Sequence, residues 1–142
     1  MSLPVKMNLS APNLVNICVD SREGEDCRGR LYCRYTKEKI PFQSEYHLLK
    51  LMEGLMDRIG YPQASVEMRS YKKKEIFQDE PLPRMLEGEE IFQKRGELAT
   101  FLVHVQYRQH ATWQGEAAWV EQGCVKPFRS ALELLKLMDN VY

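Results

Sequence analysis

The chain has 142 residues, 44% of them apolar and 28% charged. That apolar share sustains a packed core and excludes wholesale disorder. Its 20 basic residues balance 20 acidic ones, so whole-chain charge points to neither a nucleic-acid nor a membrane partner.

In chain order, Leu14–Val19 is apolar and β-branched and reads as a first strand. A loop over Ser21–Asp26 leads to a second strand, Gly29–Tyr35, whose opening glycine predicts a bulge or a close backbone approach. A turn at Thr36–Glu38 leads to a short third strand ending in Phe42. Ser44 then caps a helix whose stripe is Leu48, Leu49, Met52, Leu55, Met56 and Ile59. Gly54 costs that helix roughly 1 kcal/mol against Ala, a cost that close helix packing would explain. Gly60 and Pro62 end the helix. Ala64–Tyr71 alternates weakly and suggests an extra strand, whereas Gln78–Gly88 carries two prolines and reads as an exposed linker. Glu89–Lys94 suits a short helix or a lead-in to the next strand.

Thr100–Arg108 has period two: Phe101, Val103, Val105 and Tyr107 alternate with Leu102, His104, Gln106 and Arg108. After a loop at Gln109–Thr112 come a strand at Gly115–Val120, a turn at Glu121–Gly123 and a short strand ending in Phe128. Ser130 and Glu133 then form the capping-box pattern of a final helix with Leu134, Leu135, Leu137, Met138 and Val141 as its stripe.

The two runs of elements repeat at an offset of 86 residues without a gap. Gly29 aligns with Gly115, Pro41-Phe42 with Pro127-Phe128, Ser44 with Ser130, and Leu48–Met52 with Leu134–Met138; from Gly29 to Met52, 9 of 24 positions are identical. Similar leucine-rich helices arise by chance, but chance does not also align the glycine, the Pro-Phe pair and the cap. The expected fold is α+β: a tandem duplication of a βββα unit packed as one pseudo-twofold domain. Residues 1–77 hold the first unit plus the extra strand, 78–96 the linker region and 97–142 the second unit.

The second unit resembles a type of uncharacterised short bacterial βββα reading frame. The resemblance rests on Phe101, Val103, Val105, the Trp-x-Gly of Trp113 and Gly115, and Phe128, Ser130, Glu133 and Leu134. It covers about a third of the chain and implies a bacterial or mobile-element origin and no activity. The first unit departs from the pattern, with Cys27 in the Trp position and His47 in the Glu position. The element order is also similar to partial ribonuclease-H-like units of some antitoxins, a likeness of fold alone.

No apolar run approaches the roughly 18 residues that span a bilayer, and Met1–Ser10 lacks a signal peptide's apolar stretch. The four cysteines, Cys18, Cys27, Cys33 and Cys124, make no CxxC pair, so a cytoplasmic setting is expected, with thiols acting as small hydrophobes. No zinc spacing, phosphate loop or HExxH occurs. Cys18, Cys33 and His104 as metal ligands, and Cys124 with His110 as a nucleophile pair, are weighed against buried thiols and an incidental turn cysteine, which are the favoured reading. No cofactor, metal or catalytic residue is therefore assigned.

The leading expectation is a non-catalytic binding or regulatory module that recognises or inhibits another macromolecule, as monomer or homodimer. Its predicted partner-binding residues are Tyr107, Arg108, His110 and Trp113, a mixture enriched at interface hot spots, with Ser21–Asp26 as the equivalent loop. The alternative is a nucleic-acid binder using Arg28, Arg30 and Arg34 on one strand face beside Tyr32, with Arg69, Lys72, Lys73 and Lys74.

Overall fold

The structure is a computed structural model that describes residues 7, 9–24, 26–61, 85–109 and 112–140. The extra strand expected at Ala64–Tyr71 and most of the linker lie outside the described residues. The described elements are β1 (Val15–Glu23), β2 (Asp26–Cys33), β3 (Ile40–Phe42), α1 (Glu45–Ile59), α2 (Gly88–Phe92), β4 (Ala99–Gln109), β5 (Thr112–Trp119), a 3-10 turn (Val120–Gln122), β6 (Cys124–Phe128) and α3 (Ala131–Asp139).

All six strands form one antiparallel sheet in the order β3-β2-β1-β4-β5-β6. The first strands of the two halves meet at its centre, where Val15 faces Val103 and Ile17 faces Phe101. Registers within the halves match at the 86-residue offset: Val15 faces Cys33 and Phe101 faces Trp119, while Gly29 faces Phe42 and Gly115 faces Phe128. Each half also carries one bulge, between Val19 and Ser21 in β1 and between Val105 and Tyr107 in β4.

The two strand glycines stand opposite these bulges because nothing larger fits. A Cβ on Gly29 would lie 1.9 Å from the Cys18 carbonyl oxygen, and one on Gly115 would lie 2.1 Å from that of His104. Both conditions expected for these glycines, bulge and close approach, hold together. The loop expected at Ser21–Asp26 is instead mostly strand, with β1 and β2 paired out to Glu23 and Asp26 around Gly24, whose φ is 64°.

Each face of the sheet is covered. Val15, Ile17, Val19, Leu31, Phe101, Val103, Val105, Trp113 and Ala117 pack under the helices, which contribute Leu48, Met52, Met56, Leu134 and Met138. Full burial of each such side chain stabilises by about 1.5–3 kcal/mol. The other face packs Leu14, Leu102 and Ala118 against Ala11, Leu86, Ile91, Phe92 and Val120. Asn16 ties this cover down, its Nδ2 donating to the carbonyls of Ile91 at 2.6 Å and Lys94 at 3.0 Å.

Both main helices start as their caps require. Ser44 Oγ accepts the His47 N–H and Ser130 Oγ accepts the Glu133 N–H, each at 3.0 Å. The reciprocal bond reaches one residue further back than a capping box does: Glu133 Oε1 accepts the Arg129 N–H at 2.8 Å. His47 does the same work in the first half, its Nδ1 accepting the Gln43 N–H at 3.1 Å. Gly54, for which close packing was expected, is exposed and has nothing within 4 Å of a Cβ built on it. Gly60 ends α1 in the left-handed conformation, as expected.

Candidate functional site

The structure separates the residues predicted to bind a partner. The bulge after Val105 inserts one residue and reverses the alternation of β4 beyond it. Tyr107, which shares the parity of Val105 in the sequence, is thereby turned outward and is 65% exposed. Arg108 turns under the helix layer, where it is buried and its Nη1 lies 2.7 Å from Asp57 Oδ1 of α1. Trp113, paired with Arg108 across the hairpin, is 5% exposed and belongs to the core. Trp113 therefore offers no surface to a partner, and Arg108 offers its guanidinium to Asp57. His110 lies outside the described residues.

The arginines of the predicted basic strand face are engaged within the fold. Arg28 pairs with Glu23 at 3.0 Å, both largely exposed, an arrangement worth at most about 1 kcal/mol. Arg30 grips Asp20 through Nε and Nη2 at 2.9 Å each, reaches the Tyr32 hydroxyl with Nη1 and the Arg95 carbonyl with Nη2. That bond to Arg30, with a further one from the Glu97 N–H, holds the Asp20 carboxyl below its ordinary value, while partial burial opposes the shift. Arg34 is buried, and its guanidinium donates to the carbonyls of Ala11, Leu9 and Leu86, clasping the second-face cover onto the end of β2. Phosphate contacts through Arg30 or Arg34 would require these bonds to break. Arg69 and Lys72–Lys74 lie outside the described residues.

The weighed metal grouping does not come together, and His110 of the weighed nucleophile pair lies outside the described residues. Cys33 lies in the core under the helices, whereas Cys18, one strand over, points to the opposite face and its Sγ reaches Asn16 Oδ1 at 3.4 Å. Burial pushes the Cys18 thiol up to about 11 and raises that of Cys33, so both are poor thiolates. His104 is buried on the Cys18 face, 3.5 Å from Glu116 across the β4–β5 pair. Cys124 opens β6 opposite Trp119 and is half-buried.

A depression of about 420 Å³ lies against α1 and α3, lined by Asp26, Glu45, Tyr46, Leu49 and Leu135. Tyr46 is 70% exposed, and Leu132, one turn before Leu135, is 61% exposed. At the 86-residue offset Tyr46 corresponds to Leu132 and Leu49 to Leu135; Tyr46 and Leu132 point outward, whereas Leu49 and Leu135 are half-buried against the core. Sequence reasoning missed this surface. Its one signal was that each helix is apolar beyond the buried stripe, and amphipathic periodicity assigns such residues to the core.

Glu45, at the mouth of this depression, has its carboxyl raised to about 7. Burial is the largest cause, followed by its hydrogen bond with Asp139 and the charges of Asp139 and Asp26. Among the described residues no group of His, Cys, Asp and Glu is arranged to hold a metal ion, and no helix is long and apolar enough to cross a membrane. No protein-family model, curated protein or solved structure matches the chain.

Proposed function

We propose that this chain is a non-catalytic binding or regulatory module that recognises or inhibits another protein through its helix layer. The observation that carries the reading is one exposed apolar side chain at the equivalent place on each helix, Tyr46 on α1 and Leu132 on α3, beside a shallow depression floored by the half-buried Leu49 and Leu135. Large apolar side chains held in water at equivalent places on two helices, rimmed by Asp26 and Glu45, match the composition of a protein-contact patch. The scaffold is a duplicated βββα unit packed about a pseudo-twofold axis between β1 and β4. Support for that comes from the 86-residue offset shared by pairings, bulges, glycines and caps. A bacterial or mobile-element origin follows from the resemblance of the second unit, and a cytoplasmic setting from four free thiols, three of them buried. The module acts as a monomer or homodimer.

The test is a tagged pull-down from lysate of the source cells, with and without nuclease, comparing the native chain with a Tyr46→Ser/Leu132→Ser double variant. Both positions are exposed, so the fold should survive the change. The reading expects a protein that persists after nuclease and is lost with the double variant. Equal capture by the variant would overturn the helix-layer surface. Nucleic acid that copurifies, with proteins lost after nuclease, would favour the nucleic-acid alternative and direct attention to Lys72–Lys74.

A further inference from the structure

Three carboxyl groups converge where the β1–β2 hairpin, the start of α1 and the end of α3 meet. Glu45 is the first residue of α1, and its side chain meets that of Asp139, the last residue of α3. Glu45 Oε2 and Asp139 Oδ1 are each shut off from solvent, and neither has a hydrogen-bond partner of ordinary donor type among the described residues. Asp26 adds a third carboxyl from β2: its Oδ1 accepts the Glu45 N–H at 2.6 Å and the Cys27 N–H at 3.0 Å. Among the described residues Arg22 of β1 faces the cluster, where its charge opposes the rise of the Glu45 carboxyl, and its Nε donates to the Gly24 carbonyl at 2.9 Å. His47, the nearby titratable group on α1, has its Nδ1 occupied by the Gln43 N–H.

Two ionised carboxylates whose side chains meet, with a buried oxygen of each lacking a donor, repel each other. A single proton on either one turns the contact into a short charge-assisted O–H···O bond. We propose that Glu45 and Asp139 share one proton and so form a clasp that ties the start of α1 to the end of α3, and that the clasp opens when that proton is lost.

The elevated Glu45 carboxyl agrees with this geometry and fixes the sign. A carboxyl raised from 4.5 to about 7 in the folded state binds more protons folded than unfolded between those values. Its stabilisation is fully present below the lower value and is lost as pH rises through the higher one. Because Glu45 also lines the depression between the helices, loss of the proton loosens one wall of it. The clasp itself stands whether or not a partner binds there.

Carboxyl-detected NMR of the full chain, with urea unfolding between pH 5 and 8, tests the proposal. In the native chain Glu45 should titrate near 7, and in Asp139→Asn it should fall toward 4.5. The urea midpoint of the native chain should decline across this window. The comparison with variants isolates the clasp's share of that slope. Glu45→Gln supplies a permanent N–H donor to Asp139 and should remove the Glu45 share of the decline without lowering the midpoint at pH 8. It serves equally if Asp139→Asn fails to fold. Native Glu45 titrating near 4.5, or a pH slope unchanged by Glu45→Gln, would overturn the clasp.

Discussion

Gly115→Ala tests whether the bulge and its glycine are one structural device. The added Cβ would stand 2.1 Å from the His104 carbonyl oxygen and 2.8 Å from the Val105 Cα, where ordinary carbon contacts begin at about 3.5 Å. Both obstacles are backbone in the middle of a paired strand, so no side chain can swing aside. Relief requires β4 and β5 to move apart locally. Overpacking of this kind costs about 1–3 kcal/mol, and one or two lost ladder hydrogen bonds add about 1 kcal/mol each. Lower unfolded-state entropy of Ala returns roughly 0.4–1 kcal/mol. The expected net loss is about 3 kcal/mol, and the same sign is expected for Gly29→Ala, whose Cβ would meet the Cys18 carbonyl oxygen at 1.9 Å. With a urea dependence of about 1.5 kcal/mol per M, the unfolding midpoint should drop by roughly 2 M. Gly54→Ala is the internal control: exposed, mid-helix and with open space around it, it should stabilise by about 1 kcal/mol. The reasoning fails if Gly115→Ala stays within about 1 kcal/mol of the native chain, or if Gly54→Ala costs more than it does.

Two further outcomes follow from burial. Trp113→Ala should destabilise by about 3–5 kcal/mol, whereas Tyr107→Ala, at an outward position after the bulge, should change stability by no more than about 0.5 kcal/mol; thermal or urea unfolding of the two variants in the reverse order would refute the alternation described for β4. An aromatic-disulfide thiol reagent at pH 8 should modify Cys124 first in the folded chain, because Cys18, Cys27 and Cys33 are buried and Cys124 is only half so; fast labelling of two or more thiols before denaturation would contradict that burial.

Elements governed by neighbours in the chain were legible in the sequence. Ser44 and Ser130 begin helices because a hydroxyl before a helical run satisfies an N–H three residues on. Gly60 ends one because it enters the left-handed region without strain. Glu89–Lys94 overlaps the short helix seen at Gly88–Phe92. Even the bulges left a mark, as a glycine repeated at one offset. The candidate surface was much less legible. Period two assigned Tyr107 to the apolar face and Arg108 to the polar one, but the extra residue in β4 exchanges them. Arg30 and Arg34 looked free, since neither Asp20 nor the carbonyls of Leu9 and Ala11 reveal in the sequence that they close around them.

By itself, the sequence determined the α+β class, the order of elements, the helix caps and the positions where only glycine fits. Each of these depends on residues a few places apart or on a repeated spacing. Only the tertiary structure decided that both halves share one sheet through β1 and β4, that Trp113 is core and Tyr107 surface, and that Glu45 meets Asp139 across the helix layer. Those outcomes depend on which strand pairs with which, and on what covers each face. Such contacts join residues tens of positions apart and are fixed when the sheet and its two covers close together.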